Sequence, residues 1–436
     1  MRGLIIVLVC AAAAFAGYPG QRPYEVEHYE VTLRPNLAAG TVEGTVSIRF
    51  HSLSPKLGVL ALDASDLEIQ SVTEKGKTLE HDLDQGLLAV MLSDPAIAGQ
   101  SRTIVIRYHG KPERGMRFYP DHVYTAFATS HWMVCNDRPD SRATFRLNLT
   151  VPAAFTVVAS GERVSDNVSG GSRKSVWEQK TPIPAFVFGF AAGQFQRASA
   201  KQGSTELEYL SGRHNPQQLE AMFRSTGAAL AFYEEKSGVP FPGHSYSQVL
   251  VSGGAEQEAS AFTMLPHEYG DDLLAKKSDE WLIAHELAHQ WWGIGLTCAD
   301  WSDFWLNEGM ASFLADAFLE KYSGKAAYDA QIERALSRHQ KLVAEGKDRP
   351  LVFQDWKEPG EAGGPVPYVK GAYFLFVLRQ KMGEEAFWKG IRSYTQANFG
   401  HSVNTRQFQK TMEEAFGNSL AGLFDQWAYS ATRASR

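Results

Sequence analysis

The chain has 436 residues, of which 44% are hydrophobic and 21% are charged, the balance of an ordinary globular protein. This composition excludes a chain that is disordered or collagen-like throughout. Its 43 Lys and Arg against 49 Asp and Glu give a formal net charge of −6, whereas nucleic-acid-binding proteins are typically basic, so we expect no nucleic-acid partner. At roughly 150 residues per domain, the length predicts two or three domains.

The N-terminal residues have the pattern of a secretory signal peptide. Arg2 is followed by an apolar stretch over residues 4–15, and Ala14-Phe15-Ala16 fits a small-residue cleavage site. The stretch is shorter than the roughly 20 apolar residues of a membrane-spanning helix. We therefore expect a cleaved signal peptide at residues 1–16 and an exported protein, periplasmic or extracellular; a retained anchor is the alternative.

Cleavage changes the charge and the cysteine content of the mature chain. Loss of Arg2 takes the net charge from −6 to −7, and loss of Cys10 leaves Cys135 and Cys298. So few cysteines cannot form a disulfide scaffold, and the sequence does not decide whether the remaining two pair. No later segment is long and apolar enough to span a membrane.

The first half of the mature chain alternates polar and apolar residues, as strands with one buried face do. Examples are residues 29–33, 45–50, 103–108 and 144–149, with Gly, Pro, Asn and Asp between them. We therefore expect an all-β domain over residues 17–200, built as a sandwich or a saddle-shaped sheet.

The periodicity becomes helical after about residue 200. Apolar residues first recur at helical spacing at Leu219, Met222, Phe223, Leu230 and Tyr233. Two further helices are predicted, from residue 278 to about 293 and from residue 307 to about 322. Ser278 is the predicted N-cap of the first helix, and Gly324 the stop signal of the second. The second domain, residues 201–436, should be mainly α-helical.

The segment His285-Glu286-Leu287-Ala288-His289 places two histidines four residues apart on a predicted helix. Because four residues turn an α-helix about 40° past a full circle, both imidazoles project from the same face. Two neutral imidazoles at this spacing can bind zinc, and Glu286 beside them can reach a metal-bound water. The surrounding residues are apolar, and burial of unpartnered polar groups is costly, which favours metal binding over surface or core-satisfied histidines.

A catalytic zinc ion needs a third protein ligand and an open coordination position. Glu308 lies in Trp305-Leu306-Asn307-Glu308-Gly309 and follows His289 after 18 intervening residues. A connection of this length can bring a second helix across the first, so Glu308 is the candidate third ligand. The alternative is an acidic residue that complements the dipole of a helix in its first turn.

This pattern resembles the gluzincin zinc aminopeptidases, which include alanyl and leucyl aminopeptidases and the leukotriene-hydrolysing enzyme. The resemblance lies in the His-Glu-x-x-His pair, the 18 residues that follow it and the Asn-Glu-Gly segment. Three further segments are similar to family motifs, in the family's order. Residues 135–145 resemble Cys-x-Asp-Glu-Pro…Ala-x-Phe, residues 253–257 resemble Gly-Ala-Met-Glu-Asn, and residues 366–371 resemble Tyr-x-Lys-Gly. The resemblance implies an α+β multidomain fold, with an N-terminal all-β saddle or sandwich domain followed by a thermolysin-like, mainly α catalytic domain.

The resemblance also implies a set of site residues for N-terminal peptide hydrolysis. One Zn²⁺ per chain would be bound by His285, His289 and Glu308. Glu286 would act as general base, taking a proton from water and passing it to the leaving amine. Tyr368 would donate a hydrogen bond to the oxyanion; from spacing alone, an aromatic core residue is the alternative.

The same resemblance implies a preference for peptides with a free N-terminus. Glu256 corresponds to the family's acid that binds the substrate amine, and Gly253 and Gly254 leave room for the substrate backbone to pair as an added strand. Without the resemblance, a flexible turn with a solvated glutamate is the alternative.

The chain departs from the family pattern at several positions. Ala255 and Gln257 replace the usual Met and Asn, and Arg138 replaces Glu in the Asp-Glu-Pro element. The loop 125–129 has no acid or amide where relatives usually have a second amine-binding residue. These departures leave the strictness of exopeptidase cleavage open.

Residues 423–427 resemble the end of the family's catalytic domain, and about ten residues follow them. We therefore expect a short, two-domain form without the family's C-terminal domains, and a more open cleft. Two other functions remain as alternatives: epoxide hydrolysis, as in the leukotriene-hydrolysing relative, and a non-catalytic peptide-binding protein that retains the fold. The latter would be expected to have lost Glu286, a zinc ligand or Tyr368.

Overall fold

The computed structural model describes residues 22–354 and 364–432. The described chain divides into two compact units. The first comprises the residues up to 153 together with 163–186, and the second comprises 154–162 together with the residues from 187 onwards. The predicted signal peptide, residues 1–16, lies outside the described residues, so export stays a prediction.

The strands are numbered in chain order. They are β1 (Tyr24–Asn36), β2 (Thr41–Ser52), β3 (Leu57–Asp63), β4 (Leu67–Glu74), β5 (Lys77–Thr78), β6 (His81–Asp84), β7 (Leu87–Ala96), β8 (Ser101–Gly110), β9 (Gly115–Phe118), β10 (His122–Ala126), β11 (Arg142–Pro152), β12 (Thr156–Ala159), β13 (Glu162–Ser169), β14 (Ser172–Pro184), β15 (Phe190–Gly193), β16 (Gln196–Gln202), β17 (Thr205–Ser211), β18 (Ser245–Val251), β19 (Gln257–Ala259), β20 (Phe262–Pro266), β21 (Thr297–Cys298) and β22 (Ser402–Val403).

The α-helices are numbered in the same way. They are α1 (Pro216–Met222), α2 (Thr226–Ser237), α3 (His267–Leu274), α4 (Trp281–Ala288), α5 (Trp305–Tyr322), α6 (Lys325–Ala344), α7 (Val366–Met382), α8 (Glu384–Asn398), α9 (Thr405–Phe416) and α10 (Ala421–Trp427).

The first unit is built from strands, as its alternating sequence predicts. Eight of them form a sheet in the order β13-β14-β11-β1-β2-β8-β4-β5, and three form a second sheet in the order β3-β7-β6. Strands β1 and β11 are parallel, whereas β1 and β2 are antiparallel. Alternate side chains are buried along the strands: Val31 and Leu33 in β1 and Val46 and Ile48 in β2 are fully buried, so the apolar face of this sheet forms the core.

The second unit combines a five-stranded sheet with the helices. The strand order is β16-β17-β18-β20-β19, which makes β19 an edge strand, antiparallel to β20. Pairing of β16 with β17 joins residues on both sides of position 200, so the observed division at residues 186 and 187 precedes the boundary predicted there. Trp291, Trp292 and Trp305 are fully buried in the core that these helices share.

The helix that carries the two histidines is shorter than predicted, and its cap differs. Helix α4 starts at Trp281, with Glu280 at the N-cap, so the prediction of Ser278 as N-cap is wrong; the Asp279 side chain accepts the Trp281 N–H instead (3.1 Å). The helix ends at Ala288 rather than near residue 293 because the chain turns back, and the Trp292 carbonyl accepts a hydrogen bond from His289 Nδ1 (3.0 Å).

Two further features of the chain bear on the sequence predictions. Cys135 and Cys298 are both buried and free, so each behaves as a small apolar residue in the interior. Over residues 22–354 and 364–432, no helix combines the length and the apolar character that crossing a membrane would require.

Helices α5 and α7 touch through their backbones at Gly309 and Gly371. A Cβ atom built on either glycine would lie 2.8 Å from the Cα atom of the other, which is closer than packed atoms approach. Because Gly309 follows Glu308 and Gly371 lies one turn after Tyr368, this contact sets the separation of two candidate site residues.

Replacement of Gly371 by Ala should therefore destabilise the protein by about 1–3 kcal/mol, the usual cost of overpacking, as measured by urea unfolding. The matched control is Gly422→Ala in helix α10, where an added Cβ contacts nothing within 4 Å. Alanine there should be neutral or stabilise the helix by about 0.5–1 kcal/mol. Equal unfolding free energies for the two variants would contradict the proposed close contact.

Candidate active site

Helices α4 and α5 bring the three predicted metal ligands together. His285 Nε2 lies 3.2 Å from His289 Nε2, and Glu308 Oε2 lies 3.4 Å from the first of these nitrogens and 3.5 Å from the second. All three side chains are buried. The 18 residues between His289 and Glu308 thus bring the second helix to the first, as predicted. Glu308 lies in the first turn of α5.

The three atoms have the separations that a zinc ion requires. Ligand atoms at 2.0–2.1 Å from a tetrahedral centre are about 3.3 Å apart, and the observed distances lie close to that value. His289 donates from Nδ1 to the Trp292 carbonyl, which turns the lone pair of Nε2 towards the other two ligands. The donor set of two imidazoles and one carboxylate therefore fits zinc.

Gly293 provides the space for the imidazole of His289. Its φ of 137° lies in a region that favours glycine, and a Cβ atom at this position would lie 2.6 Å from His289 Nδ1. Any larger residue would displace either the ring or the turn that carries the Trp292 carbonyl.

Glu286 lies beside the ligand triad and is 3% exposed. Thr263 Oγ1 is 3.3 Å from Glu286 Oε2. Burial raises the pKa of Glu286 well above its usual value; His289 lowers it, but the neighbouring Glu258 and other carboxylates raise it further. A divalent cation on the adjacent ligands would favour the ionised form, so the side chain can both take up and release a proton.

Tyr368 is the third residue of α7 and is half-buried at the same site. Its ring lies beside the imidazole of His285, with centroids 6.1 Å apart and planes inclined by 25°. Burial, and then the negative charge of Glu308 and its neighbours, raises the pKa of Tyr368 well above its usual value. The hydroxyl group therefore keeps its proton at neutral pH and can donate a hydrogen bond.

The predicted amine-binding segment immediately precedes the edge strand β19. Gly253 and Gly254 have φ values of 89° and 73°, and both are exposed. Glu256 is also exposed, and its charge contributes to raising the pKa of Glu286, so the two carboxyl groups belong to one electrostatic environment. The positive φ values of Gly253 and Gly254 favour glycine at both positions. Lack of space is not the reason at Gly254, since an added Cβ there would contact nothing within 4 Å.

Two residues of the sequence motifs, Lys370 and Asn307, hold segments of the fold together. Lys370 is fully buried, and its ammonium group donates to Asp348 Oδ2 (3.0 Å) and to the carbonyls of Arg349 (2.7 Å) and Ser430 (2.9 Å). Asn307 Oδ1 accepts the N–H of Cys298 (3.0 Å). These bonds fasten the helices that carry Tyr368 and Glu308 to neighbouring segments.

Sequence reasoning missed a pair of residues that supports His285. The indole ring of Trp281 stacks on the imidazole of His285, with centroids 4.8 Å apart and planes inclined by 21°. Trp281 Nε1 donates to Asp316 Oδ1 (2.7 Å). The available signal was helical spacing: Trp281 precedes His285 by four residues, and Asp316 follows Glu308 by eight, so each pair shares a helix face.

Sequence reasoning also missed Glu258, which lies on β19 and is 2% exposed. One of its carboxylate oxygens lies within 4.8 Å of both a Glu286 oxygen and a His289 nitrogen. Burial raises the pKa of Glu258 to about 7, with His289 opposing and Glu308 adding to the shift. No local pattern in the sequence marked Glu258, because its approach to the histidines depends on where β19 lies in the fold.

Comparison with known proteins identifies relatives over nearly the whole described chain. Two family models match, the Peptidase M1 N-terminal domain over residues 25–187 and the Peptidase family M1 domain over residues 222–427. A leucine aminopeptidase 2 of Neurospora crassa is 30% identical over 298 residues, covering 65% of this chain and 43% of that protein. An aminopeptidase N of Lactococcus lactis subsp. lactis is 24% identical over 432 residues, covering 92% of this chain and 50% of that protein. The chain thus spans about half the length of the curated relatives it matches.

The fold has a counterpart among solved structures. An M1 zinc metallopeptidase from Deinococcus radiodurans superposes with a TM-score of 0.82 at 24% identity, covering 95% of this chain and 96% of that one; a mutant of it has been solved with the substrate Tyr-Ser-Ala bound. The likeness confirms a β-rich N-terminal domain followed by a mainly helical one. With both family models matched along its length, this chain belongs to the M1 peptidase family.

Proposed function

We propose that this chain is a zinc-dependent aminopeptidase that hydrolyses the N-terminal bond of peptides. The observation that carries the proposal is the convergence of His285, His289 and Glu308 beside the buried carboxyl group of Glu286. Family membership and relatives that are named aminopeptidases support it. So does the peptide Tyr-Ser-Ala, which is bound in a structural relative.

The proposed chemistry divides between the metal and two side chains. When bound, zinc supplies Lewis acidity, which polarises a carbonyl group and lowers the pKa of water to about 7. Glu286 takes the proton from the attacking water and delivers it to the amine of the departing peptide. Tyr368 donates its hydroxyl hydrogen to the carbonyl oxygen as negative charge develops there.

The proposed register of cleavage depends on the free amine of the substrate. Glu256 pairs with the α-ammonium group, which only the first residue of a peptide carries in this position. The substrate backbone lies along β19, which is the last strand in the order of its sheet, and the exposed glycines 253 and 254 beside it allow close approach.

Removal of the metal provides the direct test. We expect the purified full chain to contain one zinc ion, to hydrolyse amino-acyl arylamides and to leave their N-acetylated counterparts intact. Chelation should abolish hydrolysis, and added zinc should restore it. Because ligand binding stabilises the folded state, the metal-free protein should also unfold at a lower temperature.

Three outcomes would contradict the proposal. A protein that binds no zinc would rule out the metal site. A zinc-containing protein without hydrolytic activity would favour a non-catalytic binding protein. Cleavage of N-acetylated and free substrates at equal rates would rule out the proposed role of Glu256.

A further inference from the structure

A small cavity lies beside the candidate active site, next to Tyr368. Its volume is about 70 Å³, which is more than one water molecule needs. Tyr368 and Trp281 both line it. The first is the proposed donor to the substrate carbonyl oxygen, and the second stacks on the candidate metal ligand His285. The cavity is therefore close to the bond that the proposed chemistry cleaves.

Two arginines of helix α6 line the same cavity. Arg334 and Arg338 are four residues apart, so their side chains lie on one face of the helix, one turn from each other. Both side chains are exposed. Among the described residues, neither guanidinium group has a hydrogen-bond or ion-pair partner, so their N–H donors are available to a ligand.

The cavity has a positive charge at neutral pH. Asp316 is the carboxyl group in its lining; it is 4% exposed and accepts a hydrogen bond from Trp281. Burial raises the pKa of Asp316 to about 8, although this hydrogen bond and the charge of Arg334 oppose the shift. The two guanidinium groups therefore face little negative charge, and the cavity favours an anion.

The position of the cavity indicates which part of a substrate would reach it. Its lining comes from α4, α5, α6 and α7, whereas the proposed amine-binding segment, residues 253–256, precedes β19. A peptide whose amine pairs with Glu256 and whose first carbonyl meets Tyr368 continues beyond that carbonyl with its remaining residues. The departing part of the peptide is therefore the part that the cavity can bind.

We propose that Arg334 and Arg338 bind a carboxylate group of the departing peptide in this cavity. The inference rests on the proposed aminopeptidase function and adds a substrate preference to it. Guanidinium groups recognise carboxylates through paired N–H donors, and two of them on successive helical turns can engage both oxygens. The carboxylate is either the C-terminus of a short peptide or the side chain of an acidic residue that follows the cleaved bond.

Two matched pairs of substrates distinguish these sources. Leu-Ala-Ala and its C-terminal amide differ in the terminal carboxylate, whereas Leu-Glu-Ala-amide and Leu-Gln-Ala-amide differ in a side-chain carboxylate. The initial release of leucine by the zinc-loaded full chain is measured at neutral pH and fixed ionic strength. We expect kcat/KM to be about 10-fold higher for the carboxylate member of at least one pair, as for a charge-assisted hydrogen bond.

Replacement of both arginines should abolish this preference. The chain carrying Arg334→Gln and Arg338→Gln should cleave the two members of the pair equally well. Because the comparison is between two substrates of one protein, a general loss of activity cancels. The matched control carries Lys325→Gln and Lys341→Gln, which remove the same charge from exposed positions of α6 outside the cavity; it should keep the parent preference.

Four results would overturn the inference. Equal kcat/KM within both pairs for the parent protein would show that no carboxylate is recognised. A preference that persists without the arginines would place its recognition elsewhere, and loss of the preference in the lysine control would make it a long-range effect of charge. A preference for glutamyl over glutaminyl arylamide that disappears with the arginines would assign the cavity to the first residue of the substrate.

Hydrolysis of leucyl arylamide separates these failures from a failure of the proposed function. This substrate has no carboxylate, so its cleavage by the parent protein would leave the proposed function standing in each of the four cases. If the zinc-loaded parent protein cleaves neither leucyl arylamide nor any of the peptides, the proposed function fails and the inference fails with it.

Discussion

Replacement of Glu286 by Gln should lower kcat for amino-acyl arylamides by about 10²–10⁴-fold, the usual contribution of a positioned general acid–base group. The substitution removes one ionisable oxygen and preserves the size of the side chain. Glutamine can neither accept the proton of water nor return it to the leaving amine. The three ligand side chains are untouched, so zinc content should stay at one ion per chain.

The position of Glu286 explains why the expected effect is large. The side chain is held in the buried helix α4 between the two ligand histidines, where bulk water cannot easily replace it as a proton acceptor. Thr263 Oγ1 lies 3.3 Å from one of its oxygens, which restricts its orientation. Because the carboxyl group is already held in position, proton transfer requires little further loss of orientational entropy.

The control for this experiment is Glu414→Gln, an exposed carboxyl group on helix α9. It should leave kcat, KM and zinc content unchanged. If Glu286→Gln retains wild-type kcat, the general base lies elsewhere. If it loses zinc, the lost activity reports the metal site and says nothing about proton transfer, so zinc is measured on every preparation.

The parts of the site that follow local periodicity were predictable from the sequence. His285 and His289 share a helix face because of their spacing alone, and the structure places their Nε2 atoms 3.2 Å apart. Spacing alone could not predict Glu308 as the third ligand, since its approach to the histidines depends on the turn between the two helices. The spacing made that approach possible, and the family resemblance identified it.

The parts that depend on contacts between distant segments were not predictable. The hydrogen bond from Trp281 to Asp316 requires the packing of α4 against α5. The end of α4 at Ala288 depends on a turn that brings the Trp292 carbonyl to His289, which overrides the helical pattern of the sequence. In the same way, the sequence alone could not predict that Glu258 lies beside the histidines, because this depends on the position of β19 in the sheet.

The β-rich half of the chain shows the same distinction. Alternation of polar and apolar residues correctly indicated strands such as β1 and β8, because one face of each is buried. The parallel pairing of β1 with β11 joins residues more than one hundred positions apart. Local pattern carries no information about such a pairing, so the order of strands in the sheet had to come from the structure.

Replacement of Tyr368 by Phe should lower kcat by about 10²–10³-fold, the loss expected when one hydrogen-bond donor to an oxyanion is removed. The hydroxyl group strengthens its interaction only as charge develops on the carbonyl oxygen, so KM should change little. The pKa of this phenol is raised well above its usual value by burial and by neighbouring carboxylates, so it donates rather than accepts at neutral pH. Tyr373→Phe is the matched control on the same helix, because its ring contacts Phe376 and Trp427 away from His285, and it should retain full activity. A rise in KM without a fall in kcat for Tyr368→Phe would instead make the hydroxyl a ground-state binding group, since only a contact made in the transition state lowers kcat alone.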